Sequence, residues 1–98
     1  MKRLLVAPSA QKDLQGIHDF IAQDNPEAAD RWIDKLVSRF DNLSHQPGIG
    51  RKRDDLKSGY RSISEGQYVI FYRIATDDAL EIVRVLHGKR DLRKALDN

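Results

Sequence analysis

The sequence predicts an α+β fold: a helical hairpin packed on one face of a small, mostly antiparallel sheet, in the order β-α-α-β-β-β. Three observations lead there. Apolar residues recur at helical spacing through two stretches of the first half. A strong helix-start signal, Asp24-Asn25-Pro26-Glu27, divides those stretches. The second half is rich in β-branched and aromatic residues, in short runs separated by turn residues. Helices segregated from a run of strands mark the α+β class.

Arg3 to Ala7 (RLLVA) is short and apolar and reads as the first strand. Pro8-Ser9 breaks it, and Ser9 is placed to cap the following helix through its hydroxyl. Ala10, Leu14, Ile17 and Ile21 then fall on one narrow stripe, with Phe20 at its edge. Gly16 weakens this helix by up to about 1 kcal/mol relative to alanine, or else admits a close helix neighbour.

The second helix is expected from Pro26 to Ser44. Asn25 caps it, Pro26 suits the first position, and Glu27 complements the positive helix end. Its apolar set is Ala28, Ala29, Trp32, Ile33, Leu36, Val37, Phe40 and Leu43, so the helix should be well buried, Trp32 and Phe40 included. Arg31, Lys35 and Arg39 with Asp30 and Asp34 form the outer face. The short link predicts an antiparallel pair.

Pro47-Gly48-Ile49-Gly50 ends the helical part, and Arg51–Lys57 reads as a charged connection. Strands are expected at Tyr60–Ser64, Gln67–Ala75 and Ala79–His87, with turns at Glu65-Gly66 and at Thr76-Asp77-Asp78. In the middle strand Val69 and Phe71 point one way and Ile70, Tyr72 and Ile74 the other. Both faces are apolar, as in an interior strand. Asp91 to Asn98 forms a last short helix or stays loose.

The chain has 98 residues, suited to a single domain over residues 1–98. It contains no cysteine, so disulfide and thiolate chemistry are excluded. The apolar run in MKRLLVAPSA ends within about five residues, short of the roughly 7–15 of a secretory signal. No run approaches the roughly 20 residues of a membrane span, so a cytoplasmic protein without membrane contact is expected. Charge is uneven: residues 1–45 hold six Lys/Arg against seven Asp/Glu, and residues 46–98 hold eleven against eight. The basic half suits a polyanion or an acidic protein, or simply forms a solvated surface.

Among candidate chemical groups, His18, His45 and His87 have no second histidine or cysteine at ligand spacing, so no metal site is expected; no glycine-rich phosphate loop is seen, and no cofactor or small-molecule ligand is expected. His18 and His45 read as structural helix residues. His87 ends a strand beside Lys89, Arg90 and Asp91, where an imidazole with cations is suited to general acid–base work on a phosphate. Arg51, Lys52, Arg53, Lys57 and Arg61 form a second cationic cluster, interrupted by Asp54 and Asp55. Tyr60, Tyr68, Tyr72 and Trp32 suit base stacking, but on apolar elements such aromatics are more often packing.

These pieces, in order, resemble the ParE branch of the ParE/RelE toxin superfamily over nearly the whole chain. The resemblance lies in PGIGR (47–51), DLKSGYR (55–61), GQYVIFYR (66–73) and VRVLHGKRD (83–91). It implies a RelE/ParE-like fold and a bacterial type II toxin of the kind linked to plasmid stabilisation. ParE-like toxins block DNA gyrase and trap it on cleaved DNA, and a ParD-like antitoxin neutralises them. RelE-like relatives instead cut messenger RNA on the ribosome. Lys52, Arg61 and Arg90 stand where that branch has basic catalytic residues. Asp54 replaces another lysine, and Leu96 falls near its terminal tyrosine. A carboxylate repels phosphate and leucine moves no proton, so no catalytic residues are expected. A ribonuclease would have to use Lys52, Arg61, His87 and Arg90.

The resemblance therefore implies a protein inhibitor, not an enzyme, acting on the gyrase–DNA complex. Its partner-binding residues are expected among Arg51, Lys52, Arg53, Arg61, Lys89, Arg90, Arg93 and Lys94. The alternatives are a RelE-like ribonuclease and a non-toxic binding module on the same fold. Three surfaces are open for target contact: the outer face of the helical hairpin, the basic connection after it, and Lys89–Asn98.

Overall fold

The structure, a computed structural model, describes residues 3–75 and 78–96. Its elements are β1 (Arg3–Val6), α1 (Pro8–Ala22), α2 (Pro26–His45), β2 (Arg51–Lys52), β3 (Tyr60–Glu65), β4 (Tyr68–Ala75), β5 (Ala79–His87) and α3 (Leu92–Leu96). The strands form one five-stranded sheet in the order β1-β5-β4-β3-β2. Only β1 and β5 run parallel; the remaining pairs are antiparallel. The α+β class and the helical hairpin are as expected. The strand β2, within the charged connection, is an addition. Of the two forms open to the chain end, α3 takes the helical one. Thr76 and Asp77 of the second turn, and Asp97 and Asn98 at the chain end, lie outside the described residues.

Helix α2 starts as the sequence indicates, with Asn25 Oδ1 accepting from the Ala28 N–H at 3.1 Å. Helix α1 does not. Ala7 occupies the cap position with no side-chain bond, and Pro8 opens the helix instead of breaking the chain before it. The Ser9 hydroxyl instead donates across to Val83 O at 2.8 Å. The first hairpin turn is Gly66-Gln67, one residue later than expected. Glycine takes the positive φ of 60° there at no steric cost, and a Cβ would run into the Trp32 ring.

The central strands β4 and β5 are buried on both faces, while the edge strands β1 and β2 are largely exposed. Against α1 and α2 pack Ile70, Tyr72, Leu80, Ile82 and Val85, with Leu36, Phe40 and Leu43 from α2. Phe40 is buried, and Trp32 is partly buried with its ring edge-on to Tyr68. On the opposite face Phe71, Val83 and Leu86 are covered by Ala95 and Leu96 of α3. Val37 and Ile74, assigned to apolar faces, are about half exposed, because they lie at the margins of those faces. Around Gly16 a Cβ would meet nothing within 4 Å, so no close helix approach uses it.

A β-bulge in β5 explains its burial. Pairing passes from Phe71↔Arg84 to Tyr72↔Ile82, leaving Val83 as the extra residue. Before the bulge Leu80 and Ile82 face the helices; after it Val85 does, while Val83 and Leu86 face α3. Strand β1 ends its pairing at Val6↔Ile82, and α1 then finishes the edge of β5. The Ala7 N–H donates to Ile82 O, Ser9 donates to Val83 O, and Asp13 accepts from the Val85 N–H at 2.9 Å. Ser9 and Asp13, one helical turn apart, stand in for a neighbouring strand. No helix among the described residues is long and apolar enough to cross a membrane.

Candidate partner-binding surface

The loop after α2 is held from beneath by Tyr72. The Gly50 N–H donates to Tyr72 Oη at 2.8 Å, and the Tyr72 hydroxyl donates to Pro47 O at 2.8 Å. Gly50 packs so closely on that ring that a Cβ would fall on the hydroxyl. Arg61 adds a third tie, donating from Nη1 to Gly50 O at 2.8 Å. Loss of water around the Tyr72 hydroxyl raises its pKa, opposed by the Gly50 bond and the Arg61 charge. Tyr72 is therefore a core strut, and base stacking through it is excluded. Tyr68 is buried too, against Trp32 and His87.

From this anchored glycine the chain enters β2. Arg51 and Lys52 are exposed, with no side-chain hydrogen bond or close ion pair among the described residues. Lys52 sits directly across from Arg61, and Arg51 across from Ser62, so the two cations project from opposite faces of the sheet. Arg53 is spent locally. It bonds Asp55 at 3.2 Å and Ser62 Oγ at 3.2 Å and lies over the Phe71 ring. Its hydrogen bond is the main reason the Asp55 carboxyl is held below its ordinary pKa. Asp54 accepts from the Gly59 N–H and so shapes the turn into β3.

At the far end of β5 the backbone N–H of Lys89 donates to His87 Nδ1 at 3.1 Å. An amide can only donate, so Nδ1 accepts and the ring proton sits on Nε2, facing Gln67 Oε1 at 3.2 Å. Both nitrogens are thus engaged in shaping the turn. Lys89, Arg90, Arg93 and Lys94 are exposed and make no side-chain hydrogen bond or ion pair among the described residues. Leu96 is 4% exposed and part of the core beneath α3.

The ribonuclease set does not converge. Lys52 and Arg61 share a rung of the sheet with Tyr72 and Ile82, whereas His87 shares one with Tyr68 and Glu65. Four residues of β3 and two strand spacings separate Arg61 from His87, roughly 15 Å between Cα atoms. Helix α2 sits over that interval: Arg39 meets Glu65 at 3.1 Å and Trp32 meets Tyr68 edge-on.

Between α1 and the end of β5 lies an open groove of about 380 Å³, lined by Ile17, Phe20, Tyr68 and Val85 with Lys12 and Arg90 among its walls. Phe20 is 71% exposed there, far more than a residue at the edge of a buried stripe. Behind the groove, Asp13 holds Arg84 through bonds of 2.7 and 2.9 Å, and Arg84 donates to Ala95 O at 3.0 Å. The Asp13 bond raises the Arg84 pKa, against the lowering effect of burial. Sequence reasoning passed over both residues. The available signal was an arginine in the middle of the apolar run ALEIVRVLH, which requires a buried acceptor.

Comparison with known proteins places this arrangement. A family model described as "ParE toxin of type II toxin-antitoxin system, parDE" matches residues 4–92. "Toxin ParE1" of Mycobacterium tuberculosis is 33% identical over 95 residues, covering 96% of this chain and 97% of that protein. "Toxin RelE3" of Caulobacter vibrioides is 33% identical over 89 residues, covering 90% and 96%. A chain of the "Chromosomal ParDE TA system from P. aeruginosa" superposes with a TM-score of 0.75 at 21% identity, over 89% of this chain and 96% of that one.

Proposed function

The chain belongs to the ParE toxin family of type II toxin–antitoxin systems, and from that premise we propose that it inhibits DNA gyrase by binding, without chemistry of its own. The mechanism is preferential affinity for one state of the gyrase–DNA complex, which raises the population of that state. The observation that carries this reading is the separation of Arg61 from His87, with α2 over the interval. Metal-free phosphodiester cleavage needs a base, an acid and charge stabilisation within reach of one phosphate. Here the candidate groups stand on separate rungs, Arg61 and His87 are engaged by backbone groups, and Leu96 is core.

The neutralising partner is a ParD-like antitoxin carrying apolar anchors together with acidic side chains. The α1–β5 groove suits its apolar anchors, and Lys12 and Arg90 on its walls suit its carboxylates. The protein acts in the bacterial cytoplasm, where gyrase is found.

The test uses two reactions. Purified protein is added to a gyrase supercoiling and DNA-cleavage assay, and separately to a translating system with messenger RNA mapped for cuts. Loss of supercoiling with accumulated cleaved DNA, and intact RNA, is the expected result. Working gyrase beside fresh RNA cuts overturns the proposal in favour of a RelE-like ribonuclease, the class named by one relative. No effect in either assay identifies a non-toxic binding module.

A further inference from the structure

We propose that the loop and strand from Gly48 to Lys52 form the element that contacts the target, inserting Ile49 into an apolar recess with an acidic rim on the target protein. This rests on the inhibitor reading above and selects one of the three surfaces that the sequence leaves open.

Three observations converge on the loop. First, its backbone is immobilised at both ends by groups that could have served elsewhere. The hydroxyl of fully buried Tyr72 bonds Gly50 N–H and Pro47 O, Arg61 bonds Gly50 O, and the Ile49 N–H bonds Gln46 O. A segment ordered in advance loses little entropy on binding. Second, this held backbone presents Ile49 at 53% exposure beside Gly48, where even an added Cβ would meet nothing. Third, the next two residues are the exposed cations Arg51 and Lys52, with Lys52 in register with Arg61. Like charges directly opposed on a sheet are unfavourable, and a partner carboxylate relieves them.

Protection of a sheet edge accounts for the cations Arg51 and Lys52 of β2. It does not account for Ile49, because an exposed apolar side chain at an edge invites association. The partner class follows from the neighbours. Asp54 and Asp55 lie beside the cations, and Arg51 already acts on Asp55. Two carboxylates disfavour a phosphate backbone, whereas an isoleucine followed by two cations, one on each face of the sheet edge, matches an apolar recess with an acidic rim.

The test compares wild type with Ile49→Asp, Ile49→Ala and Arg51→Ala/Lys52→Ala, each first checked for a cooperative thermal transition within a few degrees of wild type. Binding to purified gyrase subunits, without DNA, is expected to weaken about tenfold for Ile49→Ala and more for Ile49→Asp. Growth arrest on expression is expected to fall in the same order. Tyr72→Phe keeps every contacting side chain but releases the loop. It is expected to slow association with gyrase and to speed hydrogen exchange at the Gly50 amide. Folded Ile49→Asp that binds gyrase and arrests growth like wild type overturns the proposal. So does equal loss of binding to a bare DNA duplex in all loop variants, which would make the loop a phosphate contact. If wild type binds neither the gyrase subunits nor the gyrase–DNA complex yet arrests growth, the gyrase reading fails, and Ile49→Asp decides the loop by growth alone. A wild-type chain without either effect overturns both.

Discussion

Asp13→Asn tests how the molecule joins α1, β5 and α3. Asp13 and Arg84 side chains are 11% and 18% exposed, so the pair is largely removed from water. Asp13 Oδ2 accepts from Arg84 Nε at 2.7 Å and from Val85 N–H at 2.9 Å, while Oδ1 accepts from Arg84 Nη2 at 2.9 Å. Asparagine has one acceptor oxygen. Placed at the Oδ2 position it keeps two of these bonds, but its NH₂ then faces the Arg84 Nη2 donor. A charge-assisted bond is lost, worth about 1.5–3 kcal/mol, and a guanidinium is left without a counter-charge. Breaking fully buried pairs costs about 3–5 kcal/mol. With the residual exposure here, a loss of about 2–4 kcal/mol is expected. At roughly 4–8 °C per kcal/mol for a domain of this size, the melting temperature should drop by more than about 8 °C. Urea and thermal unfolding followed by circular dichroism measure this. Asp13→Leu and Arg84→Met, each alone and then combined, make a separate double-mutant cycle. The double variant should be less destabilised than the two single effects summed, since removing both charges leaves neither stranded. Asp13→Asn within about 0.5 kcal/mol of wild type, or strictly additive single effects, would refute the reasoning.

Two glycines should respond oppositely to alanine. Gly50→Ala drives a methyl into the Tyr72 hydroxyl and should cost about 1–3 kcal/mol, whereas Gly16→Ala, in open space within α1, should add about 0.5–1 kcal/mol; paired denaturation curves decide. Tyr72 holds its proton above the ordinary tyrosine value of 10.0 because it is buried. Its contribution is therefore full below about pH 10 and is lost as pH rises through the folded value, so Tyr72→Phe should flatten the alkaline fall in stability. Ultraviolet titration of wild type should show a late-ionising tyrosine that Tyr72→Phe removes. Wild type and His87→Ala should both leave messenger RNA intact, with toxicities within about threefold of each other, because both ring nitrogens are engaged in shaping a turn; RNA cleavage by wild type that His87→Ala abolishes would reverse that assignment.

Much of the fold was legible in the sequence. The stripes through Ala10–Ile21 and Ala28–Leu43 and the cap at Asn25 located the helices, and the runs around Val69–Ile74 and Leu80–Leu86 located the two central strands. Each such signal is local, set by side-chain period and by the chemistry of a few adjacent residues. Ser9 misled because serine is a good cap in isolation. In the folded chain a stray carbonyl at the Val83 bulge claims its hydroxyl. β2 was invisible because two residues carry no period, and pairing with β3 alone defines them.

The candidate site divided along the same line. Sequence alone determined which residues are cationic, that no cysteine is present, and that Leu96 cannot transfer a proton. Those are properties of side chains wherever they stand. Only the tertiary structure decided which cations are free. Arg53 and Arg61 were withdrawn into local bonds, while Arg51, Lys52 and the Lys89–Lys94 cations stayed exposed. It also decided that Arg61 and His87 stand apart and that Ile49 is held outward. Those outcomes depend on strand register and on one bulge, which shift whole faces by a single residue, and pairing between segments distant in sequence sets both.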